Sequence, residues 1–252
     1  MWKYSDDHTA PVLTARAHIE SCHRLGGDLR LPETALVFFM SGGVEHLCGN
    51  YPVELLAEKF PRFLRQCPVY GLRGEEVCFL HGGSGAPMAA DTLETLAALG
   101  VKRAVAVGMF GAFRREIAPG EIIVPDRAFV EEGTSLHYYE AIESARPDGG
   151  LRRTLAAELG AASHSIVSTD AVYRQTFYKE RLWREKGAAG VDMETSALFS
   201  VGRYLGLRTA SVLIASDQHP LSEDDAAWEW HITREQKAEL FEKSLRAVLK
   251  NG

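Results

Sequence analysis

Short apolar stretches recur along the chain, and each one is bounded by glycine or by polar turn residues. Continuous apolar runs of this kind predict strands that are buried on both faces. The predicted strands are residues 35–40, 77–80, 103–107, 121–124, 164–168, 187–191 and 208–215.

Between these strands, apolar residues spaced three and four apart predict helices. The predicted helices are residues 86–99, 151–159, 193–205 and 231–249. Gly100, Gly160 and Gly206 follow three of them, where a residue with positive φ commonly ends a helix. Strands therefore alternate with helices, which predicts an α/β fold with helices on both faces of one sheet.

The ends of the predicted strands carry the most informative residues, because ligands of such folds bind at the carboxyl ends of strands. Three strand ends are rich in glycine and two are acidic. They are Ser41-Gly42-Gly43, Gly82-Gly83-Ser84-Gly85, Gly108-Met109-Phe110-Gly111, Asp192-Met193-Glu194 and Ser216-Asp217. One glycine-rich turn needs no explanation beyond turn geometry. Three at one sheet edge favour a shared site whose backbone N–H groups face a polar ligand.

Common nucleotide and hydrolase motifs are missing from these turns. Gly83-Ser84-Gly85 begins a G-x-G-x-x-G pattern, but Met88 stands at the third glycine position. The sequence contains no G-x-x-x-x-G-K-[ST], no G-x-S-x-G and no H-E-x-x-H. These absences argue against a dinucleotide-binding domain, a P-loop enzyme, an α/β-hydrolase and a zinc protease.

Two acidic residues are candidates for chemistry. Glu194 shares a helix face with the apolar residues Leu198, Val201 and Leu205, so its carboxylate is expected to face the protein. A ligand diol would satisfy such a carboxylate, although an acid at a helix N-terminus is also favoured by the helix dipole alone. Asp217 ends a buried strand, where it is either a turn residue or an acid that acts on a ligand together with Glu194.

Composition and charge narrow the class of protein. The 252 residues carry a net charge of −6 and no block of basic residues, which argues against a nucleic-acid partner but not against a small anionic ligand. No apolar run is long enough to span a membrane, and the polar residues 1–8 do not form a signal peptide. Cys22, Cys48, Cys67 and Cys78 lack metal-ligand spacing, so we expect thiols in a cytoplasmic protein and no metal.

The order of the motifs resembles the nucleoside phosphorylase/nucleosidase superfamily, which includes uridine and purine nucleoside phosphorylases. The stretch 191–199 is similar to the family's ribose-binding M-E motif, and Ser216-Asp217 is similar to the S-D of the purine enzymes. Residues 81–87 and 107–112 also resemble family segments, and residues 133–138 resemble uridine phosphorylase. The resemblance covers roughly residues 35–250.

The resemblance implies a three-layer α/β domain with a central mixed, twisted and barrel-like sheet flanked by helices. A single domain would span residues 1–252, with residues 1–34 packed on it or at an oligomer interface. The implied partner is a nucleoside, and the implied assembly is a dimer or a hexamer. No cofactor is implied beyond inorganic phosphate as the co-substrate of a phosphorylase.

The resemblance also implies roles for individual residues. Asp217 and Glu194 would be the catalytic residues, with Glu194 on the ribose hydroxyls and Asp217 protonating, or hydrogen-bonded to, a purine base. The expected substrate-binding residues are Asp192, Met193, Glu194, Tyr173, His137, Gly108, Met109, Phe110 and Gly111. The expected phosphate or water ligands are Gly42, Gly43, Ser84, Glu45 and Arg114.

The sequence departs from the family at the positions where its members carry phosphate-binding residues. Uridine-type enzymes carry G-D-P-x-R after the first strand, where this chain has Ser41-Gly42-Gly43-Val44-Glu45. Ala106 stands at a second arginine position, and Met109 replaces a usual hydroxyl residue. Arg73 and Arg114 are the remaining candidates for phosphate binding.

Three interpretations therefore stay open: phosphorolysis of a nucleoside as the leading one, hydrolysis by a water near Glu45, and nucleoside binding without turnover. The base is also open, because Asp217 favours a purine whereas residues 133–138 favour uridine.

Overall fold

The computed structural model describes residues 9–22 and 29–250, in which one central sheet lies between two layers of helices. The strands are β1 (Thr34–Phe38), β2 (Val53–Ala57), β3 (Val69–Leu72), β4 (Val77–His81), β5 (Arg103–Ala112), β6 (Ile122–Ile123), β7 (Arg127–Glu131), β8 (Ser144–Ala145), β9 (Ser165–Thr169), β10 (Ala188–Asp192) and β11 (Arg208–Gln218). The helices are α1 (Ala15–Cys22), α2 (Gly43–Asn50), α3 (Ala86–Ala98), α4 (Gly149–Leu159), α5 (Phe177–Glu185), α6 (Thr195–Tyr204) and α7 (Arg234–Leu249), with the 3-10 turns η1 (Thr134–His137) and η2 (Val172–Arg174).

Strand β5 is the centre of the sheet because it pairs with three neighbours. It runs parallel to β1 over Arg103–Val107 and parallel to β11 over its whole length. Its carboxyl end, Gly111 and Ala112, pairs with β10 in the antiparallel direction. The sheet order is β2-β3-β4-β1-β5-β10-β9-β7-β8, with β11 branching from β5 and β6 paired to β11. The parallel and antiparallel pairs of this one sheet, with helices on both faces, confirm the predicted mixed sheet flanked by helices.

Each face of the sheet carries its own hydrophobic core. On one face α3 and α6 supply Leu93, Leu96 and Phe199, and on the other face α7 supplies Phe241 and Leu245. Every residue of β1 is buried because both faces of the strand are covered. The prediction of doubly buried strands is confirmed for the strands at the centre of the sheet.

The sequence patterns missed the elements with weak apolar periodicity. The hairpin of β2 and β3 is half-exposed at the edge of the sheet, and α5 is largely charged with Glu180 and Trp183 as its buried residues. Helices α1 and α2 and strands β7 and β8 were also not predicted. The prediction of a turn at residues 108–111 was wrong, because β5 continues through these residues and pairs with β11.

The described part of the N-terminal extension packs on the domain. Helix α1 lies against α3, where Arg16 Nη2 donates to the carbonyl of Ala98 at 3.1 Å. Leu31 N donates to Leu99 O at 3.0 Å. The polar residues 1–8 lie outside the described residues. All four cysteines are free thiols. Across residues 9–22 and 29–250, no helix is both long and apolar enough to cross a membrane.

A buried arginine shapes the turn between β4 and α3. The side chain of Arg62 is 2% exposed, and its Nη1 donates to the carbonyl oxygens of His81 at 2.8 Å and Gly82 at 3.1 Å. The same nitrogen lies 2.8 Å from Thr92 Oγ1, and Nε donates to the carbonyl of Arg65. Arg62 therefore holds the glycine-rich turn by hydrogen bonds to its backbone.

We expect Arg62→Met to lower the free energy of unfolding by about 3 kcal/mol, because it leaves several buried carbonyl groups without a donor. Urea denaturation measures this loss. Arg65→Met is the control, because Arg65 is exposed. Equal stability of the two variants would contradict the role given to Arg62.

Candidate active site

The carboxyl ends of β1 and β4 place two helix N-termini side by side. The two strands are parallel neighbours, and α2 and α3 begin shortly after them. The N-terminus of a helix has free N–H groups and a partial positive charge, so this edge of the sheet favours an anion or a carboxylate.

Glu194 uses one of these N–H groups. Its Oε1 accepts a hydrogen bond from the backbone N of Gly85 at 2.5 Å, just before α3 begins. Glu194 itself immediately precedes α6. Burial and the negative charge of the nearby Asp192 raise the pKa of Glu194 above its usual value. The site therefore holds a carboxyl group that a ligand able to donate hydrogen bonds would stabilise in its charged form.

Asp192 is bound by groups of the protein. Ser168 Oγ donates to its Oδ1 at 2.5 Å, and the backbone N and Oγ1 of Thr195 donate to its Oδ2 at 3.1 and 2.5 Å. Burial raises the pKa of Asp192, although these hydrogen bonds favour its charged form. The resemblance implies that Asp192 binds substrate, and in the structure its carboxylate lies at the start of α6. There it orients the segment that carries Met193 and Glu194.

A second buried carboxylate at the start of α6 was missed in the sequence. Glu132, at the end of β7, accepts hydrogen bonds from Ser196 Oγ at 2.9 Å and from the backbone N of Ser135 at 3.0 Å. Ser196 N in turn donates to Ser168 Oγ at 2.9 Å. Acceptors at this end of a helix are favoured by the helix dipole. The segment containing Glu194 is therefore held firmly in place.

Asp217 lies at the end of β11 and is 4% exposed. Its Oδ2 accepts from the indole Nε1 of Trp228 at 2.6 Å and lies 3.1 Å from Nε2 of His219. Ser216 Oγ donates to its Oδ1. Burial raises the pKa of Asp217, but hydrogen bonds from His219, Ser216 and Trp228 outweigh burial and place the pKa below its usual value. Asp217 is therefore a hydrogen-bond acceptor at neutral pH.

His219 and Glu180 stand behind Asp217, and the sequence analysis missed both. His219 Nδ1 lies 2.7 Å from Glu180 Oε1. Burial lowers the pKa of His219, but the hydrogen bonds and charges of Asp217 and Glu180 raise it to about 9. The sequence held a signal for His219, because residues two apart in an extended chain lie on the same side and Asp217 is two residues before it. Glu180 could not be found in this way, since it lies on the charged helix α5.

The predicted base-binding residues of β5 contribute mainly backbone. The Phe110 ring is 1% exposed and packs in the core against Gly190, so it is not available to stack on a ligand. Gly108 is buried against Leu213, and Met109 is partly exposed. Gly111 lies beside His219.

The predicted phosphate-binding turn after β1 has no room for a side chain at position 43. Gly42 caps α2 with a left-handed backbone, and a Cβ at Gly43 would overlap the ring of Phe38. An arginine cannot occupy position 43 unless Phe38 moves. Ala106, at the second arginine position of the family, is buried within β5. Neither position therefore offers a cationic side chain to an anion.

The remaining arginine candidates are engaged elsewhere. Arg114 donates to the carbonyl oxygens of Ala188 at 3.2 Å and Gly187 at 3.1 Å, at the beginning of β10, and its Nη1 lies 3.6 Å from Glu116. Met193 and Glu194 follow the opposite end of β10. Arg73 donates to the carbonyl of Val53 in the edge hairpin.

The predicted water ligand Glu45 pairs with the end of β4. Its Oε1 lies 3.1 Å from Nε2 of His81, and its side chain is 67% exposed. Burial raises the pKa of Glu45, but its backbone N–H and His81 outweigh burial and lower the pKa. Glu45 is therefore a charged carboxylate in the first turn of α2. Ser84 is exposed in the neighbouring turn.

The two predicted aromatic ligands lie on the surface. Tyr173 is 95% exposed on η2. His137 is exposed at the end of η1, where it lines a cavity of about 670 Å³ together with Tyr138 and Tyr204. Neither Glu194 nor Asp217 is among the residues that line this cavity. The structure thus brings Glu194 to the turn before α3 and Asp217 to His219, while Tyr173 is exposed on η2 and His137 lines the cavity beside η1.

Two curated relatives each match more than half of the chain. The chain is 29% identical over 166 residues to a guanosine phosphorylase from Halorubrum lacusprofundi, which covers 60% of this chain and 68% of that protein. It is 27% identical over 187 residues to a DeoD-type purine nucleoside phosphorylase from Geobacillus kaustophilus, which covers 71% of this chain and 78% of that protein.

Solved structures show the same fold over nearly the whole chain. A uridine phosphorylase from Vibrio fischeri aligns with a TM-score of 0.66 and 27% identity, covering 88% of this chain and 90% of that one. An AMP nucleosidase from Bacteroides thetaiotaomicron aligns with a TM-score of 0.70 and 21% identity, covering 94% and 99%. The resemblance seen in the sequence is confirmed.

The family model of the phosphorylase superfamily matches residues 33–250, which contain the whole sheet, Glu194 and Asp217. This chain therefore belongs to the phosphorylase superfamily.

Proposed function

We propose that this protein cleaves the N-glycosidic bond of a nucleoside. The observation that carries the proposal is the partly buried carboxyl group of Glu194, held on the N–H of Gly85 at the carboxyl edge of the sheet. Cleavage develops positive charge on the sugar, and a carboxylate against the ribose hydroxyls stabilises that charge more than it stabilises the ground state. Asp217 is the second acidic group, and it would face the departing base.

A purine is the base that Asp217 supports best. In the structure, Asp217 Oδ2 accepts the N–H of the Trp228 indole, which is a five-membered ring fused to a six-membered ring. A purine protonated on a nitrogen of its five-membered ring carries an N–H donor in the same kind of fused ring as the indole. The half-exposed Trp228 would leave Asp217 when the base enters. The names of the curated relatives, guanosine and purine nucleoside phosphorylases, support the same choice.

Phosphate is the proposed acceptor of the sugar. An oxygen of phosphate would bond to C1′ as the bond from C1′ to the base nitrogen breaks, and the products would be the free base and ribose 1-phosphate. The partial positive charge at the N-terminus of α2 favours an anion there without a cationic side chain. The curated relatives are phosphorylases, which supports this choice.

Water is a second candidate for the acceptor. Positions 43 and 106 hold glycine and alanine, and Phe38 closes the space beside Gly43. The charged Glu45, paired with His81, would then serve as the base that activates a water. This candidate yields free ribose instead of a sugar phosphate.

Incubation with adenosine, guanosine, inosine and uridine, with and without phosphate, tests both candidates. We expect purine release that depends on phosphate and forms ribose 1-phosphate, measured by chromatography. Release of free ribose without phosphate would replace phosphorolysis by hydrolysis, and Glu45→Gln would then abolish it. Saturable binding with no release would overturn the proposed cleavage and leave a nucleoside-binding protein.

We expect Glu194→Gln to lower kcat about 100-fold or more, because the amide removes the negative charge opposite the developing cation. The amide oxygen still accepts from Gly85 N, so the fold is retained. Glu94→Gln is the matched control, since Glu94 is a partly buried carboxyl on α3 whose pKa is also raised by burial. Full activity of the Glu194 variant would end its assignment to the ribose.

The same variant has a pH-dependent effect on stability. Because the folded-state pKa of Glu194 is raised, the folded protein loses stability as the pH rises above the unfolded pKa and the buried group ionises. We expect the gain in Tm of Glu194→Gln over the wild type to be larger at about pH 9 than at about pH 5. Thermal unfolding at the two pH values measures the difference, and an equal Tm gap would contradict the raised pKa.

A further inference from the structure

The buried groups next to Asp217 form a continuous row of polar contacts that has no role in the cleavage proposed above. Glu180 on α5 and Asp217 on β11 bind the two ring nitrogens of His219, at 2.7 Å on Nδ1 and 3.1 Å on Nε2. Glu180 and Asp217 are buried, and His219 is largely buried. The backbone N of His219 also donates to Ala112 O at 2.7 Å, which fixes the ring relative to β5.

The charges of these neighbouring groups balance only when His219 is protonated. Arg184 Nη1 lies 3.9 Å from Glu180 Oε2, so two carboxylates face the guanidinium and the imidazole. Loss of the imidazole proton would leave two buried negative charges with one cation, which is costly at this depth. The charged groups that face His219 are Glu180 and Arg184 from α5 and Asp217 from β11, while Trp228 is neutral.

Gly111 explains why the ring can reach Asp217. A Cβ at position 111 would overlap Nε2 of His219, so the glycine of the family-like segment makes room for this imidazole. The ring of Phe113 packs on the same imidazole, with centroids 6.4 Å apart. Gly111 and Phe113 therefore fix the position of the imidazole relative to Asp217.

We propose that Glu180 and His219 form a proton relay in which His219 is a positioning residue that supplies, through Asp217, the proton taken by the departing base. This inference rests on the proposed nucleoside cleavage. As the bond from C1′ to the base nitrogen breaks, its electron pair stays on the base. The Nε2 proton of His219 moves to Asp217, and Asp217 gives a proton to a nitrogen of the base. His219 ends neutral and takes a new proton from solvent.

The relay resolves a difficulty in the site. Asp217 is charged at neutral pH, so it has no proton of its own to give. The imidazole beside it is a proton store that remains charged up to about pH 9. The purine-cleaving activity should therefore persist through neutral pH and fall as the pH rises past that value, because His219 then loses its proton.

The pH dependence of kcat/KM on the preferred purine nucleoside tests the relay in the wild type, Glu180→Gln and His219→Gln. The first substitution keeps an acceptor for Nδ1 of His219 but removes the negative charge. We expect the alkaline limb to move down by about one pH unit or more, with activity retained at low pH. For His219→Gln we expect about a 100-fold loss near neutral pH and a residual rate that rises as the pH falls.

His164→Gln, just before β9, is the control and should keep the wild-type profile. An alkaline limb that stays in place in Glu180→Gln, or a wild-type profile in His219→Gln, would overturn the relay alone. A pH-independent loss shared by both variants, with a lower Tm, would also overturn it and leave a structural cluster. A wild-type protein that cleaves no nucleoside would instead overturn the proposed function itself.

Discussion

The hydrogen bond from the Gly85 N–H to Glu194 is the interaction on which the candidate site depends. It joins the N-terminus of α3 to the residue before α6, and the two helices pack together on one face of the sheet. Gly85 has a φ of 84°, which residues with a side chain rarely adopt, so the turn can aim this N–H at the carboxylate. Asp192 and Glu132 then hold the start of α6.

The pKa values of the two carboxyl groups, Glu194 and Asp217, are shifted in opposite directions by their surroundings. Glu194 is held only by backbone N–H groups and lies near another carboxylate, so burial dominates and its pKa rises. Asp217 is also buried, but Trp228, Ser216 and His219 all donate to it, and its pKa falls. In the free protein Glu194 is therefore the protonated acid and Asp217 the charged one, so the proposed cleavage needs a sugar diol that stabilises the charged form of Glu194 and a protonated group, His219, beside Asp217.

Packing decides which positive charges can lie at the carboxyl edge of the sheet. The ring of Phe38 fills the space beside Gly43, and Ala106 is enclosed within β5. Arg114 is bound to the carbonyl groups at the start of β10. Positive potential at this edge of the sheet therefore comes from the N-termini of α2 and α3, whose N–H groups are fixed by the fold.

The sequence by itself determined the alternating α/β pattern, the doubly buried central strands, and the placement of Glu194 and Asp217 at the ends of strands. These features follow from local periodicity and from acids placed at the ends of apolar runs. The tertiary structure alone decided that residues 108–111 continue β5, that Phe110 is a core residue, and that Arg114 is engaged. It also placed Glu180 of α5 on His219 of the segment after β11, although 39 residues separate them. Pairings of this kind depend on how distant elements pack, and no local pattern records them.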